Sequence, residues 1–153
     1  DKLSETRNAI KNGADEIDYV VNLTKLKAGD TAYIESEMAR ITDICREFSV
    51  VSKVIFENCY LTEDEKKTLC HIATKVKPDF IKTSTGFGTG GATFEDVALM
   101  KRETEGSGVK IKAAGGIRTL KTALEMINLG VSRIGSTSSV AIMEEYMAHS
   151  PLL

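Results

Sequence analysis

The sequence predicts an α/β fold: five parallel strands with flanking helices, curved as part of a (β/α)8 TIM-type barrel. Three observations carry this prediction. Short β-branched runs alternate with amphipathic stretches along the whole chain, glycines and hydroxylated residues mark the transitions, and the chemically distinctive side chains fall in or at the ends of the strand segments. The alternation argues for parallel strands, because each crossover helix returns the chain to the same end of the sheet. Chemistry at the ends of several strands then favours a barrel, since an open doubly wound sheet gathers its ligands at one switch point.

Residues 3–12 read as a helix that ends at Gly13, and "EIDYVVN" (16–22) as a β-branched strand closed by the polar loop around "KAGD". Residues 31–47 place Ile34, Met38, Ile41 and Ile44 at helical spacing, and "VSKVIFENC" (51–59) returns to strand. Leu61 to Lys77 forms the next helix, with Thr62 as N-cap and Asp64 and Glu65 near its positive end. The strand "PDFIKTST" follows. A helix over 93–104, capped by Thr93 with Glu95 and Asp96 in its first turn, leads into "VKIKAAG". A helix over 119–128 leads into "VSRIGST", and the last helix runs from Val140 to Ala148.

Composition narrows the function classes. Twenty basic and 22 acidic residues give a formal net charge of −2, which provides no general electrostatic footprint for nucleic acid or an anionic membrane. No apolar run reaches the roughly 18 residues of a membrane span, and the first residues lack the apolar core of a secretory signal, so a cytoplasmic location is expected. Cys45, Cys59 and Cys70 lack C-x-x-C spacing and read as reduced packing residues. His71 and His149 stand apart from any cysteine or carboxylate at ligand spacing, which argues against a zinc site. The only prolines are Pro78 and Pro151, and no low-complexity linker interrupts the chain, so 1–153 reads as one unit.

The chemistry then rests on lysine, carboxylate and hydroxyl groups. Alternation along "DFIKTST" puts Phe80, Lys82 and Ser84 on one face and Ile81 and Thr83 on the other. Helices cover the outside of a barrel, so Ile81 points out and Lys82 points in. On the next strand Lys112 lies with Ala114 on the face opposite Ile111. Burial and like charge both disfavour an ammonium ion, so two inward lysines on adjacent strands suit the supply of a neutral, nucleophilic amine. A lone strand-end lysine more often snorkels to solvent; the pairing is what calls for another explanation. Asp18 interrupts the apolar strand "EIDYVV", either to neutralise a lysine or to shuttle protons together with Lys112 and a water. Glu57 is a further candidate for this polar network.

Glycines indicate an anion. "GG" at 115–116 and "GSTSS" at 135–139, with Ser136 and Ser138, follow the last two strands and precede helices whose N–H groups can receive phosphate. Loops at that position are the common phosphate site of barrels; the plainer reading is that glycines make tight turns. "GFGTGG" (86–91) lacks both the G-K-[ST] ending of a P-loop and the G-x-G-x-x-G spacing, so no nucleotide site is expected there.

These segments together resemble one family. "GADEIDYVVN", "KVIFENC", "DFIKTSTGFGTGGAT", "VKIKAAGGIRT" and "RIGSTSS" occur in the order and spacing of deoxyribose-phosphate aldolases, class I aldolases on a (β/α)8 barrel, and the resemblance runs from Leu3 to Met143. It implies that Lys82 is the Schiff-base lysine, Lys112 the lysine that perturbs it, and Asp18 the acid–base carboxylate. By the same resemblance Gly86, Gly115, Gly116, Gly135, Thr137 and Ser138 cradle the substrate phosphate. The implied reaction is reversible cleavage of 2-deoxy-D-ribose 5-phosphate to D-glyceraldehyde 3-phosphate and acetaldehyde, a step in deoxyribose phosphate catabolism that uses no cofactor or metal. Phe87 stands where some members place a basic residue beside the phosphate.

A barrel of this type takes about 250 residues, and the chain has 153, beginning at what resembles the helix before the family's fourth strand. The expected content is therefore family strands four to eight, without a counterpart of the first three β/α units. Partners expected on this basis are a small phosphorylated sugar, with no nucleic acid or membrane, and a second copy or a complementing chain that closes the sheet. Two other readings stay open at this level: a non-catalytic barrel fragment or assembly module, and a different phosphate-binding class I aldolase.

Overall fold

A computed structural model describes residues 1–149. Pro151 and the rest of 150–153 lie outside the described residues. The elements in chain order are α1 (Lys2–Lys11), β1 (Glu16–Val20), α2 (Leu23–Lys27), α3 (Thr31–Glu47), β2 (Val51–Ile55), a 3-10 turn (Asn58–Tyr60), α4 (Glu63–Val76), β3 (Phe80–Lys82), α5 (Phe94–Glu103), β4 (Lys110–Ala114), α6 (Leu120–Asn128), β5 (Arg133–Gly135) and α7 (Ser139–Ala148). The five strands form one parallel sheet in the order β1-β2-β3-β4-β5, each neighbour pair joined through a helical crossover.

Local chemistry sets the helix starts. Thr62 and Glu65 form a full capping box on α4, each side chain accepting from the other's backbone N–H. Thr93 accepts from the N–H of Asp96, Thr119 from that of Thr122 and Asp30 from that of Tyr33. Every strand ends earlier than expected, β3 at Lys82 and β5 at Gly135 among them. The strand predicted over 16–22 ends at Val20, because Asn22 caps the short helix α2 where the sequence suggests only a loop. The strand predicted over 51–59 ends at Ile55, because Glu57 adopts a left-handed backbone (φ 56°) and the chain turns into the 3-10 segment.

The apolar core lies between the sheet and the helices. Ile17, Tyr19, Val54, Ile81, Ile111 and Ala113 point outward from four successive strands against Ile34, Met38, Ile41, Leu69, Val97, Met100 and Met126. The opposite face is charged. Glu16, Asp18, Lys53, Lys82, Lys112 and Arg133 occupy it, in a register that aligns Asp18 with Lys53 and Lys82 with both Ile55 and Lys112.

One ion pair records the curvature. Arg133 on β5 is paired with Glu16 on β1, although four strand spacings separate the two. In a flat sheet that separation is about 19 Å, farther than the two side chains together can reach. The sheet must therefore curl so that its charged face is concave, as in a segment of barrel wall. Ile81 is fully buried on the convex face; Ile81→Ala is expected to lower the stability of the chain by about 3 kcal/mol, measurable as a reduced urea midpoint with an unchanged slope.

Candidate active site

The concave face is built around two carboxylates on the first strand. Alternation in "EIDYV" directs Ile17 and Tyr19 to the core, which leaves Glu16 and Asp18 facing inward. Lys53 Nζ donates to Glu16 Oε2 at 2.8 Å and to Asp18 Oδ1 at 2.9 Å, and its side chain is only 3 % exposed. The other Asp18 oxygen, Oδ2, accepts from Lys82 Nζ at 3.2 Å. Burial works to raise the Asp18 pKa, but hydrogen bonds from Lys53 and then Lys82 outweigh it and hold the carboxyl below the usual range. For Lys53 burial works to lower the value, and the hydrogen bonds to Glu16 and Asp18 prevail and raise it. Glu16 is lowered by Lys53 first and Arg133 second.

Lys82 ends β3 with 13 % of its side chain exposed, its Cα in register with that of Lys112 on β4. The Lys112 ammonium makes no hydrogen bond or ion pair among the described residues, and burial, reinforced by the Lys82 ammonium, holds it below the ordinary lysine range. Its side chain runs toward β5, where a Cβ on Gly135 would come within 3.2 Å of Lys112 Cε. Gly135 thus leaves the space that Lys112 occupies. The structure brings Lys82, Asp18 and Lys112 to one concave face, as expected, but the hydrogen bond to Asp18 comes from Lys82 and not from Lys112.

Beyond Lys82 the strand ends enclose a cavity of about 300 Å³ whose lining includes Lys82, Gly86, Gly116, Arg118, Gly135 and Thr137. Gly115 and Gly116 both have positive φ (89° and 76°), a pair of conformations that L side chains rarely adopt. Among the described residues the N–H groups of Gly86, Gly116 and Thr137 donate to no protein acceptor. They are available to an anion. Ser136 ties the two last loops together: its hydroxyl donates to the Ile117 carbonyl and accepts from the Ser138 N–H. Ser138 is the N-cap residue of α7, and its side chain makes no capping hydrogen bond.

Glu57 does not join the lysine network. Its carboxylate accepts from the N–H of Thr85 at 3.1 Å and from the Thr85 hydroxyl, so it anchors the loop after β3. Gly91 seats the far end of that loop: a Cβ there would fall 2.3 Å from the Gly115 carbonyl oxygen, while the N–H of Ala92 donates to the carbonyls of Ala114 and Gly115. Phe87 points away from all of this, 96 % exposed. Sequence reasoning passed over Lys53, Glu16, Arg133 and Arg118. The period-two pattern of "SKVIF" puts Lys53 opposite Val54 and therefore inward, a signal equal to the one that singled out Lys82. Arg118 follows the glycine pair directly, and its position beside an anion loop was the available cue.

A curved parallel β/α sheet with an inward lysine pair and free N–H groups in the loops after its last two strands has the architecture of a barrel aldolase. The family model for DeoC/LacD family aldolases matches residues 1–137. The chain belongs to that family. It is 57 % identical over 143 residues to the deoxyribose-phosphate aldolase of Lactobacillus acidophilus, an alignment that covers 94 % of this chain and 60 % of that protein. The enzyme of the same name from Thermococcus kodakarensis is 50 % identical, with 94 % of this chain and 63 % of that one covered. Among solved structures, the aldolase QR15 superposes with a TM-score of 0.89 at 42 % identity, covering 99 % of this chain and 67 % of that one. The tetrameric deoxyribose phosphate aldolase of Aeropyrum pernix gives 0.85 at 27 %, over 96 % of this chain and 61 % of its own. The chain spans about 60 % of the length of the curated relatives named here.

The depressed Lys112 predicts a stability signature. The unfolded chain holds a proton on this residue more tightly than the folded chain does. Between the folded value and the ordinary value near 10.4, stability should therefore rise with pH. Lys112→Met removes that contribution. Urea unfolding of both chains at pH 7 and pH 10 is expected to show the wild type gaining stability relative to the variant as pH rises; a gain by the variant over the same interval contradicts the assignment.

Proposed function

We propose that the protein is a class I aldolase that reversibly cleaves 2-deoxy-D-ribose 5-phosphate to D-glyceraldehyde 3-phosphate and acetaldehyde through a Schiff base on Lys82. The observation that carries this reading is the contact of Lys82 Nζ with Asp18 Oδ2 at 3.2 Å, beside Lys112 on the adjacent strand. A lysine nucleophile must be neutral when it adds, and Asp18, in contact with Lys82 Nζ, is placed to move the protons of the steps that follow. The neutral amine adds to the aldehyde carbon, the carbinolamine loses water with a proton returned to its hydroxyl, and the C=N⁺ that results draws in the electron pair of the breaking carbon–carbon bond while the hydroxyl on the departing carbon gives its proton to the acid–base group and becomes the aldehyde carbonyl of D-glyceraldehyde 3-phosphate. The enamine left behind is protonated and hydrolysed. In this sequence the iminium ion is the electron sink, so the chemistry calls on no metal or cofactor.

Glyceraldehyde phosphate enters at its charged end. The N–H groups of Gly86, Gly116 and Thr137 offer hydrogen bonds to the phosphate, Gly115, Gly135 and Ser138 shape the same loops, and the Arg118 side chain supplies the positive charge that Phe87 does not. The reading includes a cytoplasmic setting, in keeping with three unpaired cysteines, and assembly with a second copy or a complementing chain. Val140, Met143 and Met147, 73 %, 51 % and 62 % exposed on α7, are available to such an assembly.

Borohydride added to the chain with acetaldehyde should leave an ethyl adduct on Lys82, found by peptide mass spectrometry, and Lys82→Met should abolish it. An adduct confined to other lysines overturns the assignment. The phosphate loops are tested separately: Ser138→Glu and Arg118→Ala are each expected to raise the KM for 2-deoxyribose 5-phosphate about tenfold or more, the value of one charge-assisted contact, while unphosphorylated deoxyribose changes less than threefold. Equal losses for both sugars would place the anion elsewhere.

A further inference from the structure

We propose that Lys53 is a positioning residue for Asp18: its buried ammonium grips Asp18 Oδ1 and Glu16 Oε2 together, which turns Asp18 Oδ2 toward Lys82, and Arg133 completes the arrangement by holding Glu16 from across the concave face. The inference rests on the imine reading above and deepens it.

Geometry carries the argument. Asp18 lies on a strand that pairs on one side only and keeps 30 % of its side chain exposed. Left to itself, a short carboxylate in that setting samples more than one rotamer. Here each of its oxygens has a separate cation, Lys53 on the adjacent strand and Lys82 one strand further. The Asp18 and Lys53 Cα atoms are register partners, so Lys53 reaches the carboxylate from the strand that pairs directly with β1. Lys53 is 3 % exposed and Lys82 is 13 % exposed. The more open amine is free to react, while the enclosed one is committed to two carboxylates.

A purely structural role explains this less well. Replacing a buried ion pair by apolar residues of similar volume is often neutral or stabilising, so burial of Lys53 is weak evidence for stability alone. Glu16 and Asp18 share the one ammonium, and Arg133 offsets the second negative charge, so the Asp18 carboxylate keeps its partner without a free anion beside it. The arrangement holds a base in one orientation before substrate arrives, which is how preorganised groups contribute to rate.

The step that depends on Asp18 can be read without the sugar phosphate. In the iminium ion formed from acetaldehyde, a methyl C–H bond breaks, its proton passes to Asp18 or to a water held by it, the C–H electron pair forms the enamine C=C, and the C=N π pair returns to nitrogen. Reversal in D2O puts a deuteron on carbon. The experiment follows deuterium exchange into the acetaldehyde methyl group by NMR, with borohydride trapping measured in parallel, for the 153-residue chain. Lys53→Met is expected to keep trapping within about threefold of wild type while exchange falls roughly thirty- to hundredfold, within the usual range for a positioned acid–base group. Lys53→Arg should recover exchange to within about fivefold, because the charge and reach remain. In an Asp18→Asn chain, Lys53→Met should cost nothing further, since both substitutions remove the same function. Exchange that stays at wild-type rate in Lys53→Met, equal losses of trapping and exchange, or additive losses in the double variant each overturn the inference. If neither Lys53→Met nor Lys53→Arg folds by circular dichroism, Lys53 is a folding residue and the inference falls. No trapping in the wild-type chain refutes the imine reading itself, an outcome distinct from normal trapping with unaltered exchange.

Discussion

A lysine ammonium as enclosed as that of Lys53 inside a β/α wall needs carboxylates in contact, and the concave face of this protein is organised by that requirement. Lys53 meets it through Glu16 and Asp18. Both carboxylates belong to β1, so the demand of one buried cation fixes which face of the first strand turns inward, and the outward position of Ile17 and Tyr19 follows from the same alternation. Arg133 then closes the face from the opposite edge strand. Charge therefore dominates the concave face, where Phe80 packs against Arg133 and Ile55 lies beside Lys82, while apolar packing shapes the convex one.

The interior bias toward cations is local. The formal net charge is −2, yet five cations, Lys53, Lys82, Lys110, Lys112 and Arg133, share the concave face with two acids, Glu16 and Asp18. Lys53, Lys82 and Arg133 are neutralised by contact. Lys112 is not, and its proton is held less tightly, by burial first and by Lys82 second. The same sites that bind an ion pair thus leave one amine under electrostatic pressure next to the strand-end lysine. An amine perturbed in this way is common where proton transfer is the task.

The loops add shape without adding charge. Glu57 and Gly91 hold the two ends of the loop after β3, and Ser136 fastens the loop after β5 to the one after β4. Three loops from three strands are therefore tied into one rim, and residues with unpaired N–H groups on each of them line a common cavity. Free backbone donors can receive an anion with few charged side chains nearby, and Phe87 on the loop after β3 lies exposed.

What the sequence by itself determined is the order of the elements and the facing of their side chains. Capping residues Thr62 and Thr93 marked helix starts to within a residue, and period two placed Lys82 and Lys112 inward, because both signals depend on neighbours a few positions apart. The resemblance of "IKTSTGF" and "KAAGGIRT" to one aldolase family extended this to the strand-end glycines. Only the tertiary structure decided which lysine holds Asp18, that Glu57 serves the loop and that Arg133 reaches Glu16. Each of those depends on the stagger and curl of the sheet, which bring residues as far apart as 16 and 133 into contact. Alternation fixes the side of a strand on which a residue lies, but it carries no information about how far along a neighbouring strand its partner sits. That distance is set by packing of the helices on the convex face, a sum over the whole core that no short stretch of sequence contains.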